Sequence, residues 1–417
     1  MAEANYDWQG LVLVVTAMGI LAIFLVPHLA KGEGDNFLLR VLVCGLLLKL
    51  GSAMVRYWIN LSTFGWGDAF RYDNIGRIIA QYIQRFEFRE IGTLMKALGG
   101  STFIWGSKSI DLFTGVIYSA IGPTIYGGYV IYALIAFLGS YCFYKAFRVA
   151  FPEGNKRLYA LLVFLSPSIL YWANGIGKDA AIFFCIGLSA YGSAQLTRNR
   201  LQGLIPLVLG LLGTLFIRPH IAMILAIAFF VALIFSGVGK RGVRPGTLVI
   251  GFLAIGGFVG FLLPQAIAYV GLGGLSPEDI SSYLLLDQAP GTYLGGSAFQ
   301  TTDITNPLNF PMTMITILFR PFPWEAHNLQ ALIQSLEGVL VMCLMLWRIK
   351  SLGKAVSSLT SNTYLLYTLI YIIVFVIAFS STSNFGILAR QRVMLLPFFF
   401  MLIAHADPGA RIESKPK

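Results

Sequence analysis

Stretches of about 20 mostly apolar residues recur from one end of this chain to the other, and no other feature limits its fold so severely. A stretch of that length crosses a bilayer as a helix, because in hydrocarbon only a helix or a closed barrel satisfies every backbone N–H and C=O. Read this way, the chain crosses near residues 10–30, 37–55, 124–147, 158–172, 178–197, 202–217, 220–237, 247–271, 328–347, 360–380 and 391–405. Water is a poor alternative solvent: with 57% of residues hydrophobic and 12% charged, too few polar side chains remain to cover a soluble globule. The sequence therefore predicts an all-α polytopic integral membrane protein of about 11 transmembrane helices, forming a single bundle over 1–417. The first run has no basic stretch before it and no clear small-residue cleavage pattern after it, so it reads as an uncleaved span. Cys44, Cys142, Cys185 and Cys343 lie inside apolar runs without metal-like spacing, and no disulfide is expected.

The formal net charge of +11 would raise the question of nucleic acid in a soluble chain. Here the basic residues gather in short loops beside apolar runs, where positive-inside topology accounts for them, and no nucleic-acid partner is expected. Lys145, Arg148, Lys156 and Arg157, then Arg198 and Arg200, then Lys240, Arg241 and Arg244, then Arg348, Lys350 and Lys354, and finally Arg411, Lys415 and Lys417 alternate correctly if all are cytoplasmic. That places the N-terminus, with Glu3 and Asp7, outside an inner (plasma) membrane and the C-terminus in the cytoplasm. Residues 102–121 contain Lys108 and Asp111 and end at Gly122-Pro123, so they read as a re-entrant or interfacial piece.

The segment 56–123 is then an extracytoplasmic loop. Within it, Ile75, Ile78, Ile79, Tyr82, Ile83 and Phe86 recur at helical spacing while Asp73, Arg77, Gln81, Arg85 and Arg89 fall every fourth residue, which predicts an interfacial amphipathic helix over about 70–98. The same parity puts Asn174–Asp179, Arg218–His220, Arg320–Glu325 and Asn384–Arg392 on the outer side with Asp68. A long outer connection, 273–313, is rich in Gly, Ser, Thr, Pro and Asn and reads as a lid-like loop or as a plain surface loop.

Cations held on the side that topology disfavours suggest an anionic ligand, since Arg grips phosphate oxygens bidentately and Lys acts as a point charge. The candidates are Arg71, Lys178, Arg218, His220, Arg320, Arg390 and Arg392, with Asp179, Glu325 and Asn384 in support. Structural pairing of those cations with Asp179 or Glu325 is the plainer alternative. Asp68 and Asp73 are the carboxylates placed to accept a proton from a hydroxyl nucleophile, although Asp68 also fits a helix cap. No nucleotide loop, zinc-protease, serine-hydrolase or metal-spaced Cys/His motif is present. No metal-ligand set is assigned, the cofactor is unknown, and a divalent ion stays open.

An Asp-bearing outer loop, an interfacial helix and a bundle with basic residues at its outer ends together resemble the GT-C class of membrane glycosyltransferases. The stretches Ser166-Pro-Ser168 to Lys178-Asp179, Arg218-Pro-His220, and Asn384-Phe-Gly with Arg390-Gln-Arg392 look like those of bacterial exopolysaccharide and O-antigen polymerase-like membrane proteins. The resemblance implies transfer of a sugar from a polyprenyl-phosphate or polyprenyl-diphosphate donor to a hydroxyl of a glycan or lipid-linked acceptor, at the outer membrane face. It also implies Asp68 as the catalytic carboxylate, with Asp73 as its rival. GT-C members usually carry that Asp after the first span, whereas here it follows the second. A transporter or flippase for a lipid-linked glycan and a non-catalytic envelope-assembly partner are the competing readings.

Overall fold

A computed structural model describes residues 2–31, 36–64, 67–99, 105–237, 297–304, 306–359 and 361–406, with isolated positions at 256, 257, 260 and 264. The described residues are helical almost throughout, and their β structure is an isolated antiparallel bridge between Ala298 and Asn384. The described residues are thus those of an all-α protein, consistent with apolar runs that satisfy their backbone groups within helices.

Four helical segments among the described residues are long and apolar enough to cross a membrane: Asp7–Ala30, Phe37–Ser62, Ile125–Ala150 and Leu329–Trp347. A fifth is present if the pair Phe385–Arg392 and Leu396–Ala404, bent by 58°, counts as one span. The expected number, about 11, is not confirmed among the described residues, for reasons that are partly local. Leu201–Ile217, Pro219–Phe235 and Thr363–Ala378 are apolar but short. A helix of 17 residues rises about 25 Å, less than the ~30 Å hydrocarbon core. The stretch near 158–172 is cut at Ser166, where Pro167 starts a new helix. Most of 247–271 and the first part of 273–313 lie outside the described residues.

The chain divides into two compact units, one of residues 1–142, 164–189 and 208–222, the other of 143–163, 190–207 and 223–417. Among the described residues its α-helices are, first, α1 (Ala2–Ala30), α2 (Phe37–Ile59), α3 (Asp68–Gln84), α4 (Phe88–Ala97), α5 (Ser107–Ile121), α6 (Ile125–Ala150), α7 (Lys156–Leu165), α8 (Pro167–Trp172), α9 (Lys178–Leu196), α10 (Leu204–Ile217) and α11 (Pro219–Gly237). After them come α12 (Phe310–Phe319), α13 (Leu329–Trp347), α14 (Ile349–Ser357), α15 (Thr363–Ala378), α16 (Phe385–Arg392) and α17 (Leu396–Ala404).

In the first unit, the amphipathic helix expected over 70–98 is two helices. Phe86 adopts φ +59° between them, a left-handed conformation that an α-helix cannot contain. The break lets Ile91 and Met95 of α4 pack with Ile79 of α3. On another side α3 packs closely on α5: a Cβ on Gly76 would meet Thr114 Cγ2 at 2.7 Å, and Gly115 lies directly against Ile79. The same device joins α9 to α10. Gly210 faces Ser189, and a Cβ on Gly213 would meet Cys185 Sγ at 2.5 Å. Small residues allow two apolar helices this approach inside a membrane, where no hydrophobic force drives them together. At one end of three spans, Trp8, Tyr57 and Tyr126 form a chain of ring contacts, with centroids 4.8 and 4.9 Å apart, as expected where helices leave hydrocarbon.

The second unit has an aromatic core. Phe147 stacks on Tyr159 at 4.3 Å, and Phe398 meets Tyr371 at 4.3 Å and Phe143 at 5.5 Å. Two of the buried hydroxyls are accommodated by backbone: Tyr159 donates to the Pro397 carbonyl at 3.2 Å and Tyr371 to that of Met394 at 3.3 Å.

Candidate functional site

Lys49, Ser52 and Arg56 lie at i, i+3 and i+7 and form a polar stripe on the otherwise apolar α2. The stripe faces the end of α8, whose last carbonyls have no partner within their own helix. Lys49 Nζ donates to the Ile169 carbonyl at 2.6 Å and Ser52 Oγ to that of Leu170 at 3.0 Å. Arg56 donates to the carbonyls of Tyr171 at 3.2 Å, Trp172 at 2.5 Å and Asn174 at 2.6 Å. Positive charge at a helix C-terminus is favourable, and charge-assisted bonds of this kind contribute about 1.5–3 kcal/mol each. The stripe thus stabilises a six-residue helix that would otherwise fray.

After α8 the chain runs through Ala173–Gly177, with Gly175 at φ +70° beside the Tyr129 ring, where a Cβ would lie 2.8 Å from that ring. The next helix, α9, opens with Lys178 and Asp179. Asp179 is buried and bound on both oxygens: Arg218 donates to Oδ1 at 3.1 Å and Arg56 to Oδ2 at 3.3 Å. The antiparallel register of α9 and α10, set by Gly210 and Gly213, carries Arg218 to this position. His220 lies within electrostatic reach of Arg218 and Lys178.

The start of α5 joins the same region, since the Gly106 N–H donates to the Phe216 carbonyl in the last turn of α10 at 2.8 Å. Arg71 of α3 donates to Asp111 Oδ2 at 2.9 Å. Asp111 is fully buried, and Lys178 and Lys108 are within electrostatic reach of it. Burial raises its carboxyl to about 6, with Arg71 the main opposing influence. Arg56, Arg71, Lys108, Lys178 and Arg218 are thus set against Asp111 and Asp179, an excess of positive charge among buried and half-buried groups.

The two predicted catalytic carboxylates have different surroundings. Asp68 is exposed in the first turn of α3; the capping position belongs to Gly67. Asp73 is buried, with Tyr118 donating to Oδ1 at 2.6 Å and Arg77 to Oδ2 at 2.8 Å. Burial raises the Asp73 carboxyl despite those donors. Arg77 also donates to Asp7 at 2.9 Å, and Asp7 accepts from the Ile125 N–H at 2.9 Å, so this group ties α1, α3, α5 and α6 together.

In the second unit, Arg320 donates to both oxygens of Glu325, with Nε contacts of 3.0 and 3.1 Å. Burial works against the Glu325 carboxylate, but Arg320 and the Phe322 N–H outweigh it and hold the group below its usual value. The Arg320 guanidinium also covers the stacked rings of Phe299 and Phe385, 4.6 and 5.2 Å from their centroids. Arg392 is buried and donates to the Ile317 carbonyl at 2.6 Å and to that of Arg320, closing the end of α12. Asn384 caps α16, accepting from Gly386 N–H at 2.9 Å and Ile387 N–H at 3.2 Å. Arg390 is half-buried in the same helix.

Of the predicted residues, the structure brings Arg71, Lys178, Asp179, Arg218 and His220 into one cluster of the first unit. It occupies Arg320, Glu325, Arg392 and Asn384 of the second with pairing and capping. Sequence reasoning missed Arg56 and Asp111. The i, i+3, i+7 stripe of Lys49, Ser52 and Arg56 was the signal for the first. A lone carboxylate in a moderately apolar run was the signal for the second. Among the described residues, no group of three or more His, Cys, Asp or Glu side chains is gathered as a metal ion would require. The chain matches no family model, no curated protein and no solved structure.

Proposed function

We propose that this membrane protein transfers a sugar from a polyprenyl-phosphate or polyprenyl-diphosphate carrier to an acceptor hydroxyl on the extracytoplasmic face, in assembly of a cell-surface polysaccharide. The observation that carries this reading is the cationic excess of the first unit, where Arg71, Lys178 and Arg218 share one cluster with Asp111 and Asp179. A departing phosphate needs its developing charge neutralised, and preorganised Arg and Lys groups in a water-poor site do this well. The aromatic chain Trp8, Tyr57 and Tyr126 suits an interface at which a lipid-linked donor enters. Asp68, exposed at the head of α3, is the better base candidate, because an acceptor hydroxyl can reach it whereas Asp73 is buried.

The test is transfer of labelled sugar from a polyprenyl-phosphate donor by purified protein in lipid vesicles. Asp68→Asn should abolish transfer while leaving insertion and folding unchanged; normal product from that variant would remove Asp68 from the mechanism. The break between α8 and α9 favours a second reading, transport of a lipid-linked glycan, since transporters build binding sites at interrupted helices. Movement of intact donor between leaflets without any glycosidic product would support that reading instead.

A further inference from the structure

The inner carboxylates of the first unit are not equally engaged. Asp73 and Asp179 each receive a donor on both oxygens. Asp111 receives Arg71 on Oδ2, while its Oδ1 has no hydrogen-bond partner among the described residues and the side chain is 0% exposed. Leaving a buried charged acceptor unmade costs more than the ~1–3 kcal/mol of a neutral group, so the surrounding charge must hold this one. Arg71 faces it from α3, Lys178 from α9, Tyr132 from α6, and Lys108 from its own helix.

The two partners differ in access. The Arg71 side chain is 39% exposed while Asp111 is closed off, so a ligand arriving from solvent or lipid meets the guanidinium first. Phosphate oxygens match that guanidinium bidentately and compete with a single carboxylate bond. We infer that a bound phosphate draws Arg71 away from Asp111 and that Asp111 then takes up a proton, so that phosphate binding at this site is coupled to protonation. This rests on the anion-binding reading above.

The exchange balances. One Arg71 N–H bond to Oδ2 breaks, an N–H bond to a phosphate oxygen forms, and a proton from water or buffer closes the buried carboxyl. Without its hydrogen-bonded counter-charge an ionised Asp111 would be left in a dry site with Lys178 and Lys108 acting on it only at longer range, and the neutral form is favoured. The Asp111 carboxyl already sits at about 6 through burial, so little further change carries it past neutrality. Because the bound state holds more protons, affinity falls as pH rises through neutrality.

The experiment is calorimetric titration of the full chain in lipid nanodiscs with a dialkyl phosphate, a diester with no titrating proton near neutral pH. It is run at pH 7 in buffers of different ionisation enthalpy. Wild type should bind with uptake of about one proton per ligand. Asp111→Asn should bind at least as tightly with no uptake and no dependence of affinity on pH. Arg71→Gln leaves Asp111 protonated beforehand, and should bind more weakly and also without uptake. Binding without uptake by wild type, or uptake that persists in Asp111→Asn or Arg71→Gln, would overturn the coupling and leave the anion site standing. Absence of binding by wild type would overturn both.

Discussion

Two arginines that look alike in the sequence, Arg218 and Arg392, have different work in the structure. Both stand beside helix ends and both are buried. Arg392 spends its donors on the carbonyls of Ile317 and Arg320, and nearby Arg320 is matched bidentately by Glu325. Arg218 shares a single carboxylate, Asp179, with Arg56, and Lys178 stands next to it in sequence. The second unit places Arg320 and Arg392 on acceptors that satisfy them, whereas in the first the local cluster sets Arg56, Arg71, Lys108, Lys178 and Arg218 against Asp111 and Asp179. Residual charge held by rigid packing is what an anion site needs, which is why the proposed binding is placed on the first-unit cluster, while Arg320 and Arg392 pair with Glu325 and close the end of α12.

The comparison is broken most directly at its two carboxylates. Asp179→Ala leaves the buried Arg218 guanidinium and the half-buried one of Arg56 facing each other and should cost about 3–5 kcal/mol, seen as a large fall in thermal stability in detergent. Glu325→Ala removes a partner from a half-buried pair whose side chains are 15% and 20% exposed, and should cost less, about 1.5–3 kcal/mol. Equal losses would mean that the two regions do not differ in kind. Next in size is Arg392→Met, which keeps bulk but strips two carbonyls of their donor. It should cost about 1–3 kcal/mol in the same assay and leave phosphate affinity unchanged; weakened binding would return Arg392 to the site.

These contrasts show which parts of the molecule were readable beforehand. The spans near 10–30, 37–55, 124–147 and 328–347 were legible because about 20 apolar residues in sequence suffice to specify a crossing helix. The interruption of 158–172 had its signal in Pro167, but hydropathy averaged over the window hides one proline. Lys178, Asp179 and Arg218 stood out as polar residues between apolar runs. Their partners did not, because Arg56 and Asp179 are 123 residues apart and no local period connects them. The contacts of Arg392 and Asn384 were not legible for a related reason: a capping side chain and a ligand-binding one carry the same chemistry until the neighbouring helix end is located.

The central claim is that the cationic cluster of the first unit holds a phosphate. Lys178 tests it with less disturbance than Arg218, since it is half-buried where Arg218 is buried. The measurement is the affinity of a short polyprenyl phosphate for Lys178→Ala and for Arg320→Gln beside wild type at one salt concentration. We expect about a tenfold loss for Lys178→Ala, roughly 1.4 kcal/mol, and none for Arg320→Gln. Unchanged affinity in Lys178→Ala, or the larger loss in Arg320→Gln, would contradict the account.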